Sequence, residues 1–363
     1  MDLEERVQLI CKRPVEEVLT IEELKMLLQT KSTPVAYNGF EPSGPMHLGT
    51  GLLPALKIKD FTQAGVKYKI LLATWHAKLN NKFGGDLDKI RRVAKHFIEG
   101  WRALGIDESM VEFVMADDLI SQKDYWELLL KISERVTLSN VIRALPIMGR
   151  KESENLRFGS YIYPLMQVTD IFMLGADIAQ LGMDQRKANV LAKEVGPALG
   201  LWSPVAVHHH LLPSLTGPTK MGFDENPKLD VQISSKMAKS KPESAIFIYD
   251  NEEEIRSKLR KAFCPEKQIE NNPVIDYVKN LILRSDSDKI LIERPSIKGG
   301  PVEVNLTQLV ELYQKGEIHP LDLKNAVAEW LIKTLEPVRK RFVSEELESY
   351  FPNVFSKKRN FVA

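Results

Sequence analysis

The chain has few cysteines, almost no net charge and no long apolar run, and each shortage argues against a class of protein. Its two cysteines, Cys11 and Cys264, lie far apart, so we expect neither a disulfide framework nor a paired-cysteine zinc site. The formal net charge is +1, so any contact with nucleic acid must rely on local basic patches. The longest apolar stretches are only strand-length, which argues against a membrane-spanning helix.

What is present is an ordinary globular composition in a chain long enough for about two domains. Hydrophobic residues make up 44% and charged residues 27% of the 363 residues, a mixture that can build a large buried core. Residues 1–5 include three acidic side chains, so no secretory signal is predicted. Together with the scarcity of cysteine, this favours a reducing, cytoplasmic setting.

The first 116 residues alternate strand and helix patterns after an opening helical stretch. Residues 1–30 are predicted to be helical, because a capping box from Thr20 to Glu23 precedes an apolar run. Strands are predicted at 34–37, 67–75 and 111–116, and helices at 48–65 and 86–104. This alternation predicts a parallel sheet wound by crossover helices.

The alternation stops between about 117 and 175, where the apolar spacing is helical, and strands return at 176–182 and 205–208. We interpret the interruption as a helical insertion in one α/β domain. Residues 214–244 are rich in Gly, Pro, Ser and Lys and are predicted to form a long mobile loop. The rest of the chain is predicted to be mainly helical, with an apolar stripe at Leu323, Val327, Leu331 and Leu335.

Two short stretches suggest binding of a polyphosphate. Residues 42–50 join the first predicted strand to a helix, where exposed amides form an anion site and His47 can donate to a phosphate oxygen. Residues 234–241 hold three lysines and three serines, and flexible ammonium groups suit a moving charge. Taken singly, each has a plainer interpretation: a turn capped by a histidine, and a solvated basic loop.

Taken together, the two stretches resemble the paired signatures of class I aminoacyl-tRNA synthetases. The early signature is His-Leu-Gly-Thr at 47–50, and Lys-Met-Ala-Lys-Ser follows at 236–240, about 190 residues later. Thr50 stands where a second histidine is usual, and Ala238 where a serine is usual. Because Thr50 keeps a hydroxyl donor, activity is expected to survive.

Three further segments, 36–44, 161–171 and 181–187, resemble tyrosyl-tRNA synthetases of the archaeal and eukaryotic type. The resemblance implies a tyrosine site made of Tyr37 and Asp170 at the phenol hydroxyl, Tyr163, Gln167 and Gln185 around the ammonium group, and His76 in the wall. It implies an ATP and adenylate site made of Gly39, His47, Gly49, Thr50, Gly182, Asp184, Lys236, Met237 and Lys239, with His47, Lys236 and Lys239 as the catalytic residues.

The spacing of the tyrosine-site residues is consistent with these roles. Tyr163, Gln167 and Asp170 are separated by four and three residues, so they share one helical face. If phenylalanine entered, Asp170 and Tyr37 would be left with unpaired polar groups, which is costly in a buried site. The alternative is that Tyr163 and Asp170 only form structural hydrogen bonds in a packed helix, and His76 could be a satisfied core histidine.

The three consecutive histidines at 208–210 invite a metal interpretation, which strand geometry disfavours. Neighbouring strand residues point to opposite faces, so no metal site is predicted. Near the other end of the chain, residues 317–329 resemble the segment of archaeal tyrosyl enzymes in which His319 and Asp322 contact the first anticodon base, a guanine. Lys298 replaces an aromatic residue of the family ahead of Gly299-Gly300, so a phosphate contact is expected there.

The resemblance implies an α/β protein with a Rossmann-like parallel sheet over 1–230 and a mainly α-helical anticodon-binding domain over 245–363. The insertion at about 117–175 is expected to form a homodimer through an exposed apolar face, and 231–244 to be the mobile loop. The expected activity is that of a cytoplasmic tyrosine–tRNA ligase, which joins tyrosine to tRNA(Tyr) with ATP and Mg²⁺ and has no tightly bound cofactor.

Three other functions stay open at this stage. A tryptophanyl-tRNA synthetase shares the architecture, but Asp170 and Tyr37 disfavour it because an indole offers only one donor. A catalytically silent tRNA-binding paralogue would not need His47, Lys236 and Lys239. A different nucleotidyl transferase with a shared ATP site would have no use for the 317–329 segment.

Overall fold

The computed structural model describes residues 1–150, 156–237 and 242–355, and its strands form one large sheet and one short hairpin. The strands are β1 Val15–Leu19, β2 Val35–Phe40, β3 Lys67–Leu72, β4 Val111–Met115, β5 Ile178–Gly182, β6 Val205–His209, β7 Ile290–Ile292 and β8 Val302–Val304. The large sheet has the order β1-β6-β5-β2-β3-β4, parallel except for β1, and β7 and β8 form the antiparallel hairpin.

Helices connect the strands and make up most of the second half of the chain. They are α1 Leu3–Cys11, α2 Ile21–Thr30, α3 Leu52–Gln63, α4 Thr74–Leu79, α5 Leu87–Ala103, α6 Ala116–Ile120, α7 Lys123–Ser133, α8 Leu138–Ala144, α9 Gly159–Met173, α10 Arg186–Ala198, α11 Pro227–Ser235, α12 Glu252–Lys261, α13 Pro273–Tyr277, α14 Leu306–Lys315, α15 Pro320–Thr334, α16 Glu336–Arg341, α17 Ser344–Tyr350 and α18 Pro352–Phe355. Within the described ranges, no helix is both long and apolar enough to span a bilayer.

The predicted α/β fold is confirmed. On one face of the sheet, apolar residues of α1, α3 and α5 join a core that continues into the C-terminal helices. On the other face, α7, α9 and α10 build a second core. The predicted stripe at Leu323, Val327, Leu331 and Leu335 is fully buried in the first core.

The prediction of helix throughout 1–30 is wrong, because 15–19 form β1. This strand pairs antiparallel with β6 across a bulge near Glu17, and the β-branched Val15 and Val18 pack against the core. The capping box that suggested helix belongs to α2, where the Thr20 side chain accepts from an amide of the first turn. The capping box therefore does mark the start of a helix, but that helix begins only after the strand.

The prediction of an unbroken loop over 214–244 is wrong for 227–235, which form α11. The Asn226 side chain accepts hydrogen bonds from the amides of Lys228 and Leu229 at 3.0 and 3.3 Å, and Pro227 occupies the first turn. An Asn-Pro pair is a good helix start. Residues 238–241 lie outside the described ranges, and Lys239, which was predicted to be catalytic, is among them.

The chain re-enters the sheet region after the loop and runs beside the turn that contains His47. The amide of Leu48 donates to the carbonyl of Ile246 at 3.0 Å, and the amide of Ile248 donates to the carbonyl of Met46 at 3.0 Å. Residues 246–248 are fully buried. This returning segment therefore forms part of the wall behind the turn.

A buried charged cluster joins α3 to the C-terminal half. The fully buried Lys57 ammonium donates to two carbonyls of the 10–12 segment at 3.0 and 3.1 Å and to Asp60 Oδ2 at 2.9 Å. Arg284 donates to the same Asp60 carboxylate and, at 2.7 Å, to the carbonyl of Arg13. Burial lowers the pKa of Lys57 to about 8, against the opposing effect of Asp60. The cluster ties three distant segments together through one carboxylate.

Candidate active site

A cavity of about 610 Å³ opens where β2 and β5 end. The chain leaves β2 for β3 and β4 on one side, whereas β5 leads to β6 on the other. Such a reversal leaves a crevice at the carboxyl ends of the strands, where α/β proteins bind ligands. Every predicted tyrosine-site and ATP-site residue in the described ranges lines this cavity: Tyr37, Gly39, His47, Gly49, Thr50, His76, Tyr163, Gln167, Asp170, Gly182, Asp184, Gln185, Lys236 and Met237.

The inner end of the cavity holds a carboxylate among aromatic side chains. Tyr125 donates a hydrogen bond to Asp170 Oδ1 at 2.9 Å, and His76 Nε2 lies 3.1 Å from Asp170 Oδ2, although the angle is not that of a hydrogen bond. Tyr37 is buried, and burial together with the nearby Asp170 charge raises its pKa well above the usual range. The Tyr37 phenol therefore stays protonated and can act as a hydrogen-bond donor.

A second polar group lies about two helical turns away on α9. The Tyr163 hydroxyl donates to Glu41 Oε1 at 2.8 Å, and burial followed by the Glu41 charge raises the pKa of Tyr163 well above its ordinary value. Gln185 donates to the carbonyl of Ile147 at 3.0 Å. The buried Gln167 Nε2 has no hydrogen-bond partner among the described residues. An unpaired buried amide is costly, so this wall is suited to a polar ligand.

The backbone amides of the turn around His47 donate hydrogen bonds within the turn. His47 Nδ1 accepts from the amide of Gly49 at 3.1 Å, and the His47 carbonyl accepts from the amides of Thr50 and Gly51 at 3.0 and 2.8 Å. The Thr50 hydroxyl accepts from the His47 amide at 3.1 Å. These four amides, of His47, Gly49, Thr50 and Gly51, already donate within the turn, and the anion site expected over residues 42–50 stays a prediction. Because Nδ1 accepts a hydrogen bond, a neutral His47 ring carries its proton on Nε2.

Lys236 and Asp184 face each other across the outer part of the cavity. Lys236 Nζ lies 2.8 Å from Asp184 Oδ2. Burial opposes ionisation of Asp184, but the Lys236 ammonium outweighs it and lowers the pKa of the carboxyl. The next residue, Met237, is buried and its amide donates to the carbonyl of Leu212 at 3.2 Å. The predicted ATP-site lysine is thus held beside a carboxylate of the same predicted site.

The three adjacent histidines have different partners, as strand alternation requires. His208 Nδ1 lies 2.8 Å from Glu17 Oε2, and His210 Nε2 lies 2.8 Å from Asp276 Oδ2. The ring of His209 lines the cavity. Among the described residues, no group of three or more His, Cys, Asp or Glu side chains is arranged to hold a metal ion.

The residues predicted to read the anticodon lie in the C-terminal half, apart from the cavity. His319 caps α15, its Nδ1 accepting from the amide of Leu321 at 3.1 Å, and its side chain is 58% exposed. Asp322 is half-buried in the first turn of the same helix, and Lys298 is exposed. Arg294 donates to the carbonyls of Gly300 and Glu317 at 2.9 and 3.1 Å, so it links the loop that carries Lys298 to the turn before His319.

The family follows from comparison with known proteins. Residues 29–336 match the model of the class I tRNA synthetases for tryptophan and tyrosine. A tyrosine–tRNA ligase of Pyrococcus furiosus is 47% identical over 94% of this chain and 96% of its own length. The chain belongs to the tyrosine–tRNA ligase family of class I tRNA synthetases.

Solved structures of the same family superpose over nearly the whole chain. Tyrosyl-tRNA synthetase of Pyrococcus horikoshii, crystallised with L-tyrosine, has a TM-score of 0.90 at 44% identity and covers 98% of this chain and 100% of its own. The enzyme of Archaeoglobus fulgidus, also with L-tyrosine, has a TM-score of 0.83 at 40% identity and covers 94% of this chain and 99% of its own. The family fold therefore extends through the C-terminal half.

Three residues in or directly behind the cavity wall were missed by the reasoning from sequence. Glu41 lies in a segment that carried the family resemblance, but no role was given to it. Tyr125 falls in the stretch where only the helical apolar spacing was considered, and its hydroxyl contact with Asp170 distinguishes it. His209 was considered only as a metal ligand. A search for single carboxylates near the expected ammonium group could have found Glu41, whereas the other two depend on tertiary contacts.

Proposed function

We propose that this protein activates tyrosine with ATP and transfers it to tRNA(Tyr). The observation that carries the proposal is the cavity itself: a buried phenol-binding pair, Tyr37 and Asp170, at one end, and His47 and Lys236 at the other. An amino acid with a terminal hydroxyl matches the first pair, and a nucleoside triphosphate matches the second. We also propose a cytoplasmic location, where translation takes place.

In this proposal, tyrosine binds with its phenol between Tyr37 and Asp170. Asp170 accepts a hydrogen bond from the phenol hydroxyl, while Tyr125 donates to the same carboxylate and holds it in place. The ammonium group lies near Tyr163, Gln167 and Gln185. Glu41 supplies negative charge there. Because the Tyr163 hydroxyl already donates a hydrogen bond to Glu41, the Tyr163 oxygen can accept a hydrogen bond from the ammonium.

Activation needs no general base, because the carboxylate of tyrosine is ionised at neutral pH. One carboxylate oxygen attacks the α-phosphorus of Mg²⁺-bound ATP, and the bond to pyrophosphate breaks. His47, through its Nε2 proton, and Lys236 stabilise the charge that develops on the phosphates. Lys239 is assigned the same role by resemblance alone. The terminal adenosine hydroxyl of the tRNA then attacks the tyrosyl carbonyl and releases AMP.

Pyrophosphate exchange into ATP, measured separately with tyrosine, tryptophan and phenylalanine, tests the activation step. We expect exchange with tyrosine alone, because an indole or an unsubstituted ring leaves Asp170 and Tyr37 unpaired. Exchange with tryptophan would overturn the assigned specificity but keep the reaction. Absence of exchange with all three would instead support a silent paralogue.

Because the tRNA reacts only in the second half of the proposed reaction, changes at the anticodon-binding residues should affect charging and not activation. We propose that His319 and Asp322 read the first anticodon base, with Lys298 at a phosphate. An Asp accepts from the guanine edge, and a good base contact is worth about 1–3 kcal/mol. His319→Ala and Asp322→Ala should therefore lower kcat/KM for tRNA(Tyr) about tenfold or more, while exchange with tyrosine is unchanged. Lys315→Ala, an exposed lysine on α14, is the matched control; an equal loss in exchange would contradict the assignment.

We propose that the insertion at about 117–175 forms the interface of a homodimer. It exposes several large apolar side chains: Trp126 at 45%, Leu130 at 63%, Leu138 at 65% and Phe158 at 78%. Clusters of exposed apolar side chains are typical of protein interfaces. Leu130→Glu should shift sedimentation from dimer to monomer at micromolar concentration, whereas Ile297→Glu, at a 91% exposed position of the C-terminal half, should leave the dimer intact. A wild-type monomer would count against the proposal.

A further inference from the structure

The ring of His209 lies at the end of β6, directly opposite Gly182 at the end of β5. A Cβ built at Gly182 would lie 2.6 Å from Asp184 Oδ1, 2.8 Å from Leu211 Cδ2 and 3.5 Å from His209 Nε2, so a larger residue would collide with these side chains. His209 and Asp184 both line the cavity. The imidazole nitrogen and the carboxylate oxygen therefore lie beside the same backbone position, and both border the gap that the cavity leaves between them.

A buried hydrogen-bond chain fixes which nitrogen of His209 carries the proton. The Tyr68 hydroxyl donates to Gln180 Oε1 at 2.6 Å, and Gln180 Nε2 lies 2.7 Å from His209 Nδ1. Because Gln180 Oε1 accepts from Tyr68, the amide nitrogen of Gln180 is the atom that faces His209. Gln180 therefore donates to His209 Nδ1, and the neutral ring carries its proton on Nε2, facing the gap.

The charge state of the ring is set by its surroundings. Burial lowers the pKa of His209 to about 3, although the Asp184 charge acts in the opposite direction. At neutral pH the ring is therefore a neutral donor, placed next to a carboxylate that can only accept. A hydroxyl group both donates and accepts, so it is the group that satisfies both neighbours at once.

We propose that His209 Nε2 donates a hydrogen bond to a ribose hydroxyl of ATP, and that the same hydroxyl donates to Asp184. His209 is then a specificity-determining residue that favours ribonucleotides over deoxyribonucleotides in the activation step. This assignment rests on the proposed ATP site. Gln180 and Tyr68 are positioning residues, because they act on the nucleotide only through the tautomer of His209.

The test compares ATP, 2′-deoxyATP and 3′-deoxyATP with the wild type, His209→Asn and His209→Gln. Asparagine can keep the bond to Gln180 but does not reach the gap, whereas glutamine can place its amide nitrogen where Nε2 was. For His209→Asn we expect a loss of about threefold to tenfold in kcat/KM for ATP, the size of a neutral hydrogen bond. The kcat/KM for one deoxy analogue, which already lacks the contacted hydroxyl, should change little in this variant. The preference for ATP over that analogue should therefore become smaller. His209→Gln should restore most of that preference.

An equal loss with all three nucleotides would overturn the proposal, because it would show only a change in the shape of the site. The KM for tyrosine, expected to stay constant, reports whether each variant still folds. Calorimetric titration with the same three nucleotides separates this inference from the proposed reaction. If the wild type binds ATP more tightly than a deoxy analogue and His209→Asn loses this difference, the inference is supported even if no pyrophosphate exchange occurs. If exchange is normal and the variant keeps the same ribose preference, the inference is contradicted.

Discussion

Replacing Lys236 by alanine should slow tyrosine activation by about a hundredfold to a thousandfold, as expected for loss of one charged donor to a transition state. The Lys236 ammonium lies at the cavity, 2.8 Å from Asp184. It can reach the phosphates as charge develops on them. The effect should appear in kcat for pyrophosphate exchange more than in the KM for tyrosine, because the proposed tyrosine site is formed by other residues.

The control for this variant is Lys228→Ala, which removes an exposed lysine from α11, eight positions before Lys236 in the chain. Its exchange rate should equal that of the wild type. Tyrosine binding, measured by calorimetry, should be the same for both variants and shows whether the cavity survives. An unchanged kcat in Lys236→Ala would remove this lysine from the mechanism and leave the charge to His47 and Lys239.

Changing Asp170 to asparagine should reduce the preference for tyrosine over phenylalanine by about tenfold to a hundredfold. A hydrogen bond to a charged group contributes about 1.5–3 kcal/mol, and about 1.4 kcal/mol corresponds to a factor of ten. Asp170 is buried and its Oδ1 accepts from Tyr125 at 2.9 Å, so asparagine can keep that contact with its carbonyl oxygen while losing the charge that faces the phenol. The ratio of kcat/KM values in pyrophosphate exchange measures the effect.

Tyr37→Phe is a milder change, since it removes only a neutral hydroxyl. The preference for tyrosine over phenylalanine should fall by about tenfold or less. The matched control is Tyr313→Phe, which removes a hydroxyl that donates to the carbonyl of Pro265 at 2.8 Å, far from the cavity in the C-terminal half. That control should leave the ratio of tyrosine to phenylalanine unchanged. If Asp170→Asn also left it unchanged, the phenol would have to bind elsewhere.

Features that follow from local pattern were predictable from the sequence. The strand and helix alternation up to residue 116 indicated the parallel sheet, because each crossover leaves a helical period between two apolar runs. The spacing of Tyr163, Gln167 and Asp170 places them on one face of α9 whatever the rest of the fold does. The assignment of these residues to tyrosine came from resemblance and not from the spacing.

Features that depend on distant pairing were not predictable in this way. β1 exists because residues 15–19 pair with the edge of β6, about 190 positions along the chain. Pro14 interrupts the helix locally, but the local pattern does not distinguish a strand from a loop after it. Tyr125 reaches Asp170 across 45 residues. The proton of His209 is fixed by Gln180, whose neighbour in turn is Tyr68. Each of these contacts is specified by tertiary packing, which overrides or supplements local preference.

The segment 246–248, which hydrogen-bonds alongside Met46 and Leu48, has a consequence for the modularity of the enzyme. Although different tasks are proposed for the two halves, the polypeptide cannot be divided at the end of the loop into interchangeable parts. A fragment ending at residue 244 would lack the wall behind His47, and it would leave Asp60 without Arg284. Recombination between related genes would therefore have to place its junction beyond these contacts, and the half proposed to read the anticodon is inherited together with the wall behind His47.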